Sequence, residues 1–443
     1  MQVLVVGSGP AGLILGAALA GRGHYVTSVD RDPGPSADGW RRRGVMQFAH
    51  AHNFRPQVGK LLTHEWPAAY GAWLGLGAIP IDAGPAVAAD PAMRGLLSRR
   101  ETLERALRQA AESHPGLVLC TGHVDALVLE GGRVRGAVVD GTTVDADLVV
   151  DASGRAGRVG SRAHGERVAD KLEGECGLAY VNRTYRLRDR SSPGPMNTPL
   201  GFIGEFSGYQ CLVFLHERRH FSVVLIRPTA DPELKLLHSH SAYEAACAAI
   251  PVLAEWTDPA RAFATSAVLV GGALRNVYRS QTLLPGLITV GDAVATTTPT
   301  RGRGVAMACL QIEALLRLLD EGTDPITAAG PFDAWCEQSI KPWVADHIAI
   351  DGGMVRRWQG EDIDLDSPLT SDLIADAVPA DPRIAPYAAD YFMMTGLPAT
   401  LEPAEPLARA VYERGWRPPL ADGPRRDELV EIIQRQPAAV ARG

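Results

Sequence analysis

The first thirty residues place short apolar runs on either side of a glycine-rich segment. Within a predicted strand at residues 2–6, residues 3–6 form a continuous apolar run, which is typical of a strand buried on both faces of a parallel sheet. Residues 13–20 are small and apolar, as expected of a helix that packs closely against such a sheet. A second strand is predicted at residues 25–29, and it ends at Asp30. This order of strand, helix and strand predicts an α/β domain with a parallel sheet.

The glycine-rich segment has the spacing GxGxxG, with glycines at Gly7, Gly9 and Gly12. In this motif Gly7 permits a tight turn, Gly9 lets the backbone approach a pyrophosphate, and Gly12 lets the helix approach the strand. The helix N-terminus offers free N–H groups to the phosphates. Asp30 follows Gly12 by 18 residues, where a carboxylate accepts hydrogen bonds from an adenosine ribose. Because the motif lies between a predicted strand and helix, the sequence predicts a Rossmann-type dinucleotide site, the alternative being a chance glycine turn with a solvated Asp30.

The pattern changes in the middle of the chain. Residues 177–181 and 220–226 alternate as strands of an antiparallel sheet do. Residues 305–320 predict a long amphipathic helix, and the chain after about residue 330 is mostly helical in pattern. We therefore predict a Rossmann-type FAD-binding domain, an antiparallel-sheet substrate domain and a helical C-terminal region. Their predicted bounds are residues 1–167 with 276–330, residues 168–275, and residues 331–443.

Composition excludes several classes of function. A chain of 443 residues exceeds the roughly 250–300 residues at which a single core stops growing. A net charge of −7 argues against a nucleic-acid partner, which needs a basic face. No apolar stretch is long enough to span a bilayer, and the N-terminal pattern is that of a strand and not of a cleavable signal. We expect a cytoplasmic protein that acts on a small molecule; its oligomeric state stays open.

Cysteine and histidine spacing gives little support for a metal site. None of the six cysteines lies within 20 residues of another, so reduced thiols are expected. Two histidine pairs, His50 with His52 and His238 with His240, have the HxH spacing that metal sites use. Neither pair has a third ligand nearby in the sequence. We interpret both pairs as loop or solvated histidines and predict no metal.

A second glycine-bearing segment follows a buried strand at residues 286–290. Asp292 ends this strand, and a loop with Pro299, Gly302 and Gly304 opens the next helix. Together with the first motif, this segment resembles the class A flavoprotein monooxygenase superfamily, which has the para-hydroxybenzoate hydroxylase fold. The resemblance implies that the dinucleotide is FAD and that Asp292 binds its ribitol.

The same resemblance places the loop and the following helix beside the flavin ring. It implies that Pro299, Gly302 and Gly304 lie beside the isoalloxazine. The N–H groups from Gly302 to Val305 would then face the N1–C2=O edge, where negative charge develops on reduction.

Further segments carry the resemblance. Residues 98–107 resemble a helix whose arginine, here Arg100, approaches the FAD. Residues 43–47 resemble a loop with another FAD-contacting arginine, here Arg43, whereas Arg41 and Arg42 are expected to be solvated. The Asp-Ala-Ser-Gly turn at residues 151–154 is more like that of epoxidases, halogenases and geranylgeranyl reductases than the Asp-Gly pair of aromatic hydroxylases. The likeness is greatest to an epoxidase-like bacterial subgroup.

The resemblance implies an FAD-dependent monooxygenase. NAD(P)H would reduce the FAD, the reduced flavin would add dioxygen at C4a as a hydroperoxide, and one oxygen atom would hydroxylate or epoxidise an electron-rich small molecule. A reductase of the geranylgeranyl type and a flavin-binding protein without turnover are alternatives. A halogenase is disfavoured, because it would be expected to carry a Trp-x-Trp-x-Ile-Pro segment and a pocket lysine, and this sequence lacks that segment. The substrate and the choice between NADH and NADPH stay open.

Overall fold

A computed structural model describes residues 1–37, 39–42, 44–81, 94–156, 159 and 171–436. The chain divides into two compact units, and each is described by itself. Unit 1 comprises Met1–Phe48, Phe54–Gly174 and Arg275–Ala345. Unit 2 comprises Ala49–Asn53, Glu175–Leu274 and Asp346–Gly443. Assigning FAD to one domain and substrate to the other stays a prediction.

Strands and helices are numbered in chain order over the described residues. The strands are β1 (Gln2–Val6), β2 (Tyr25–Asp30), β3 (Ile79–Ile81), β4 (Gly95–Leu97), β5 (Leu117–Thr121), β6 (Val124–Glu130), β7 (Arg133–Val139), β8 (Thr142–Asp145), β9 (Leu148–Asp151), β10 (Lys171–Glu175), β11 (Leu178–Leu187), β12 (Gly201–Phe206), β13 (Tyr209–Leu215), β14 (His220–Pro228), β15 (Ala262–Ala264), β16 (Leu269–Gly271), β17 (Arg275–Arg279), β18 (Leu287–Thr289) and β19 (Ala295–Thr296). The α-helices are α1 (Pro10–Gly21), α2 (Pro56–Glu65), α3 (Pro67–Gly75), α4 (Arg100–Glu112), α5 (His240–Ala249), α6 (Pro251–Thr257), α7 (Gly304–Asp320), α8 (Ala329–Ser339), α9 (Lys341–Trp358), α10 (Ser371–Asp376), α11 (Ala385–Met393), α12 (Glu405–Glu413) and α13 (Arg426–Gln434).

Unit 1 is built on a parallel sheet with the strand order β18–β9–β1–β2–β5. Strand β1 lies in the middle, where Val5 pairs with Ser28 of β2 and with Val150 of β9. Residues 3–6 of β1 are buried, as the apolar run predicts. The predicted βαβ unit of β1, α1 and β2 is confirmed. Because the chain leaves β1 to one side and later returns on the other, the turn after β1 lies at a switch point, where such sheets bind ligands.

Unit 2 contains an antiparallel sheet with the order β12–β13–β14–β11–β15, and β16 also pairs with β11. The antiparallel sheet predicted for this stretch is confirmed, and so is the helical C-terminal region. Side chains alternate between the two faces of a strand. One face packs on α5, α6 and α13 through a core that includes Val223, Tyr243, Trp256 and Leu429. The other face bears a separate apolar cluster that includes Tyr180.

Among the residues that the structure describes, no helix combines the length and apolar character needed to cross a membrane.

Candidate functional site

Unit 1 holds a cavity of about 630 Å³, within the range of small-molecule sites. Its wall is formed by the turn after β1, the end of β2, the start of α4 and the start of α7. The fold therefore brings together two sequence motifs that lie far apart in the chain. The sequence-predicted site residues that line the cavity are Gly7, Gly9, Asp30, Arg100, Asp292, Gly304 and Val305.

The GxGxxG turn depends on the absence of side chains at two of its glycines. Gly7 has φ +109°, and a Cβ added there would lie 2.4 Å from the Ala152 carbonyl oxygen. A Cβ at Gly12 would lie 1.9 Å from the Gly7 carbonyl oxygen. At Gly9 the space is open, because the nearest atom to an added Cβ is Arg42 Nη1 at 3.8 Å. Gly7 and Gly12 thus hold α1 against the sheet, whereas Gly9 leaves the backbone open to the cavity.

The acid that ends β2 is held by an arginine. Asp30 Oδ2 accepts hydrogen bonds from the Ser8 N–H at 2.8 Å and from Arg42 Nη2 at 2.5 Å. Its Oδ1 accepts from the Asp32 N–H at 2.9 Å. Arg42 Nη1 also donates to Glu104 Oε2 at 2.5 Å, and the side chains of Arg42 and Glu104 are only 4% and 1% exposed.

The prediction that Arg42 belongs to a solvated run is therefore wrong. Packing between two carboxylates keeps its guanidinium out of water, and the residue forms part of the cavity wall. Arg43, the arginine predicted to contact the flavin, lies outside the described residues. Arg100 begins α4 and donates Nε to Glu104 Oε1 at 2.6 Å, which places a second buried cation beside the first. The one sequence signal for this network is the i,i+4 spacing of Arg100 and Glu104.

The second motif meets the cavity at the start of α7. Gly302 has φ +60° and ends a 3₁₀ turn, Pro299–Arg301, so the chain can reverse before α7 begins at Gly304. Gly304 and Val305 line the cavity, and their position presents a helix N-terminus to it. Pro299 and Gly302 are not among the lining residues. They shape the entry to the helix and do not form the wall.

Asp292 is the acid of this second motif, and it lines the cavity. Burial raises the pKa of Asp292, and the guanidinium groups of Arg100, Arg155 and Arg279 oppose that rise. Two of these arginines, Arg100 and Arg155, line the cavity together with Asp292. An open glycine backbone, two helix N-termini and two acids beside arginines are the features that a dinucleotide needs. The residues therefore fit FAD.

The histidine pairs occupy places in unit 2 that are explained by local hydrogen bonds. His52 Nδ1 donates to the His50 carbonyl oxygen at 2.9 Å, and His238 Nδ1 donates to the Lys235 carbonyl oxygen at 2.6 Å. His240 Nε2 accepts from the Val268 N–H at 3.3 Å. In the described part of the chain, no three His, Cys, Asp or Glu side chains are grouped as a metal site.

Comparisons with known proteins point to flavin enzymes. A family model described as tryptophan halogenase matches residues 98–343. The flavin-dependent brominase Bmp2 has a similar structure, with a TM-score of 0.63 and 14% identity over 94% of this chain and all of that one. PqsL from Pseudomonas aeruginosa, a probable FAD-dependent monooxygenase, has a TM-score of 0.58 and 15% identity over 81% of this chain and 98% of that one. The tetrameric 2-methyl-3-hydroxypyridine-5-carboxylic acid oxygenase has a TM-score of 0.57 and 16% identity over 83% and 94%. No curated protein matches in sequence.

At these identities the structural likeness shows the fold, which is the para-hydroxybenzoate hydroxylase fold of the class A flavoprotein monooxygenases. The family model adds a correction. Lack of a Trp-x-Trp-x-Ile-Pro segment does not separate this chain from halogenases as a family, since the match extends over more than half of the sequence. This flavin-dependent oxidoreductase belongs to the tryptophan halogenase family.

Proposed function

We propose that this protein is an FAD-dependent monooxygenase that hydroxylates or epoxidises an electron-rich small molecule, with NAD(P)H as the reductant. The observation that carries the proposal is the single cavity wall that joins Gly9 and Asp30 of the first motif to Asp292 and Gly304 of the second. A mononucleotide would need only one of the two motifs. This cavity wall holds an acid from each of them, Asp30 and Asp292.

Each part of the wall has a role toward the cofactor. The N–H groups at the start of α1, next to the open backbone of Gly9, bind the pyrophosphate. The guanidinium groups of Arg42 and Arg100 stabilise its negative charge. Asp292 accepts a hydrogen bond from the ribitol, and the N–H groups at Gly304 and Val305 stabilise negative charge at the pyrimidine edge of the ring. FAD, when bound, supplies electron transfer and the activation of dioxygen.

Halogenation is the second candidate, because the family model is that of tryptophan halogenases. A halogenase is expected to place a lysine in its pocket. The sequence has four lysines, and all four lie in the described residues. None of them lines the unit 1 cavity, and three form ion pairs elsewhere: Lys60 with Glu313, Lys171 with Glu173 and Lys341 with Glu337. Among the described residues, no lysine therefore stands in the wall of the proposed FAD cavity.

Turnover under labelled dioxygen tests the proposal. The purified protein is incubated with FAD, NAD(P)H, bromide and a panel of aromatic and polyene compounds, with and without an added flavin reductase. We expect a product that contains one labelled oxygen atom, and NAD(P)H consumption that the substrate accelerates. Mass analysis of the products is the measurement.

Three other outcomes would contradict oxygen transfer. A brominated product would identify a halogenase. A product two hydrogens heavier, formed equally well without oxygen, would identify a reductase. Absence of any new product with any compound, with or without the added reductase, would favour a flavin-binding protein without turnover.

A further inference from the structure

The chain after β2 forms one wall of the unit 1 cavity as a loop whose two ends meet. Trp40 and Phe48 flank this segment, and their rings lie edge to face with centroids 4.9 Å apart and an interplanar angle of 68°. Residues that are eight apart in the sequence are thus in contact, and we call residues 41–42 and 44–47 between them the cavity loop. Loops that are closed at their ends in this way are frequently functional. Five residues of the cavity loop line the cavity: Arg42, Gly44, Val45, Met46 and Gln47.

Trp40 is held to α4 and to the chain just after β2 by contacts of two kinds. Arg105 and Arg108 of α4 place their guanidinium carbons 5.6 and 5.3 Å from the centre of its ring, within the range of cation–π contacts. The indole Nε1 donates a hydrogen bond to Asp32 Oδ1 at 2.8 Å. Arg108 Nη2 lies 3.6 Å from the same oxygen, and the side chains of Arg108 and Asp32 are each 9% exposed. The Trp40–Phe48 pair therefore joins the cavity loop to a well-packed part of unit 1.

The second half of the cavity loop, residues 44–47, is held mainly at its end. Arg42 holds the beginning of the loop through the two carboxylates described above. Beyond Arg42, the Val45 N–H donates to the Arg42 carbonyl oxygen at 3.4 Å and the Phe48 N–H donates to the Val45 carbonyl oxygen at 3.0 Å, so both bonds stay within this segment. Phe48 is 6% exposed, whereas Met46 is 40% exposed. Because segments with few buried apolar contacts open at a low cost in free energy, the position of residues 44–47 depends on the ring pair that closes the loop.

We propose that Trp40 is a positioning residue for FAD: together with Phe48 it keeps residues 44–47 against the bound cofactor and slows its release. Trp40 is not among the residues that line the cavity, so it acts through the loop. A loop that is already held in its bound conformation loses less conformational entropy on binding than one that must first be ordered, and the cofactor is bound more tightly. The proposal rests on the assignment of FAD to this cavity and is independent of the reaction that FAD carries out.

Replacing Trp40 by leucine and by phenylalanine tests this role. Trp40→Leu removes the aromatic pair, both cation–π contacts and the hydrogen bond to Asp32, so we expect FAD to bind about tenfold more weakly, mainly through faster release. Trp40→Phe keeps an aromatic ring against Phe48 and should recover most of the affinity. Fluorescence titration of the apoprotein with FAD gives the affinity, and the rise in FAD fluorescence after dilution of the holoprotein gives the release rate.

A second tryptophan of unit 1 provides the matched control. Trp66 is 3% exposed, lies edge to face with His114 at a centroid distance of 6.0 Å, and does not line the cavity. Trp66→Leu should lower the Tm of the apoprotein and leave the FAD affinity of the folded protein unchanged. Trp40→Leu should instead change the Tm little and the FAD affinity strongly. Hydrogen exchange in the apoprotein should become faster at residues 44–47 in Trp40→Leu and stay unchanged in α4.

Several outcomes would overturn the role of Trp40. If the wild type binds FAD and Trp40→Leu binds and releases it at wild-type values, this role alone fails. Equal losses of affinity in Trp40→Phe and Trp40→Leu would show that the ring pair does not hold the loop. A fall in Tm as large as that of Trp66→Leu, with faster exchange throughout α4, would show that Trp40 serves the stability of unit 1. A wild-type protein that binds no FAD would overturn the FAD site together with the role of Trp40, whereas the labelled-oxygen test leaves this role unaffected.

Discussion

Replacing Arg42 with methionine is expected to lower the free energy of unfolding by about 3–5 kcal/mol, the usual effect of removing one partner from a buried ion pair. Methionine keeps much of the apolar stem and removes the guanidinium. Asp30 and Glu104 each accept a hydrogen bond from that guanidinium at 2.5 Å. Because the Glu104 side chain is only 1% exposed, its Oε2 would be left without a partner, although its Oε1 keeps the bond from Arg100. Urea denaturation of the cofactor-free protein is the measurement.

An exposed pair provides the matched control. Arg105 and Glu101 lie one turn apart on α4 and bond at 2.8 Å, but their side chains are 33% and 30% exposed. Arg105→Met should therefore cost no more than about 1 kcal/mol. If Arg42→Met and Arg105→Met lowered the free energy of unfolding equally, burial would not strengthen the ion pairs of Arg42.

Replacing Gly12 with alanine is expected to weaken FAD binding by on the order of a hundredfold or more. The added Cβ would lie 1.9 Å from the Gly7 carbonyl oxygen and 3.2 Å from Ala152 Cβ, so α1 must move away from the sheet. Overpacking of this kind costs roughly 1–3 kcal/mol in stability. Displacing a binding group by about 1 Å costs on the order of a hundredfold in function. Fluorescence titration of the apoprotein with FAD measures the affinity.

Two other glycines of this segment separate packing from binding. A Cβ at Gly16 would lie 3.4 Å from Val26 Cγ1, an ordinary van der Waals contact, so Gly16→Ala should bind FAD as the wild type does. Gly9 has open space in front of it, so Gly9→Ala should fold with an unchanged Tm and yet bind FAD more weakly. Normal FAD affinity in both Gly9→Ala and Gly12→Ala would show that FAD does not bind at this turn.

The parallel sheet and its first motif could be predicted from the sequence because the signals are local. Apolar runs, glycine spacing and a strand-end acid all occur within thirty residues. Their order along the chain indicates a βαβ unit with a dinucleotide-binding turn. The second motif, which ends at Gly304, could be recognised for the same reason. That this motif and Gly9 line the same cavity could be seen only in the structure.

Residues whose roles depend on distant partners could not be predicted. Arg42 is one of three consecutive arginines, and its acid partner Glu104 lies 62 residues away with no period to link them. Asn182 reads in the sequence as an ordinary polar position of an alternating strand, the pattern of a sheet with one solvated face. That Asn182 is buried depends on the packing of unit 2.

The family assignment shows a different limit. One missing segment disfavoured halogenases, whereas the family match extends over residues 98–343. A short motif that supplies one catalytic feature indicates an activity. Similarity spread over many residues indicates a shared family and fold.

Identification of the flavin released from the purified protein tests most directly whether the unit 1 cavity is an FAD site. We expect a yellow protein that releases equimolar FAD on denaturation, or a colourless one that becomes yellow when FAD is added. The Gly12→Ala variant should retain less FAD than the wild type. A wild-type protein that stays colourless in the presence of FAD, or that releases FMN, would contradict the assignment.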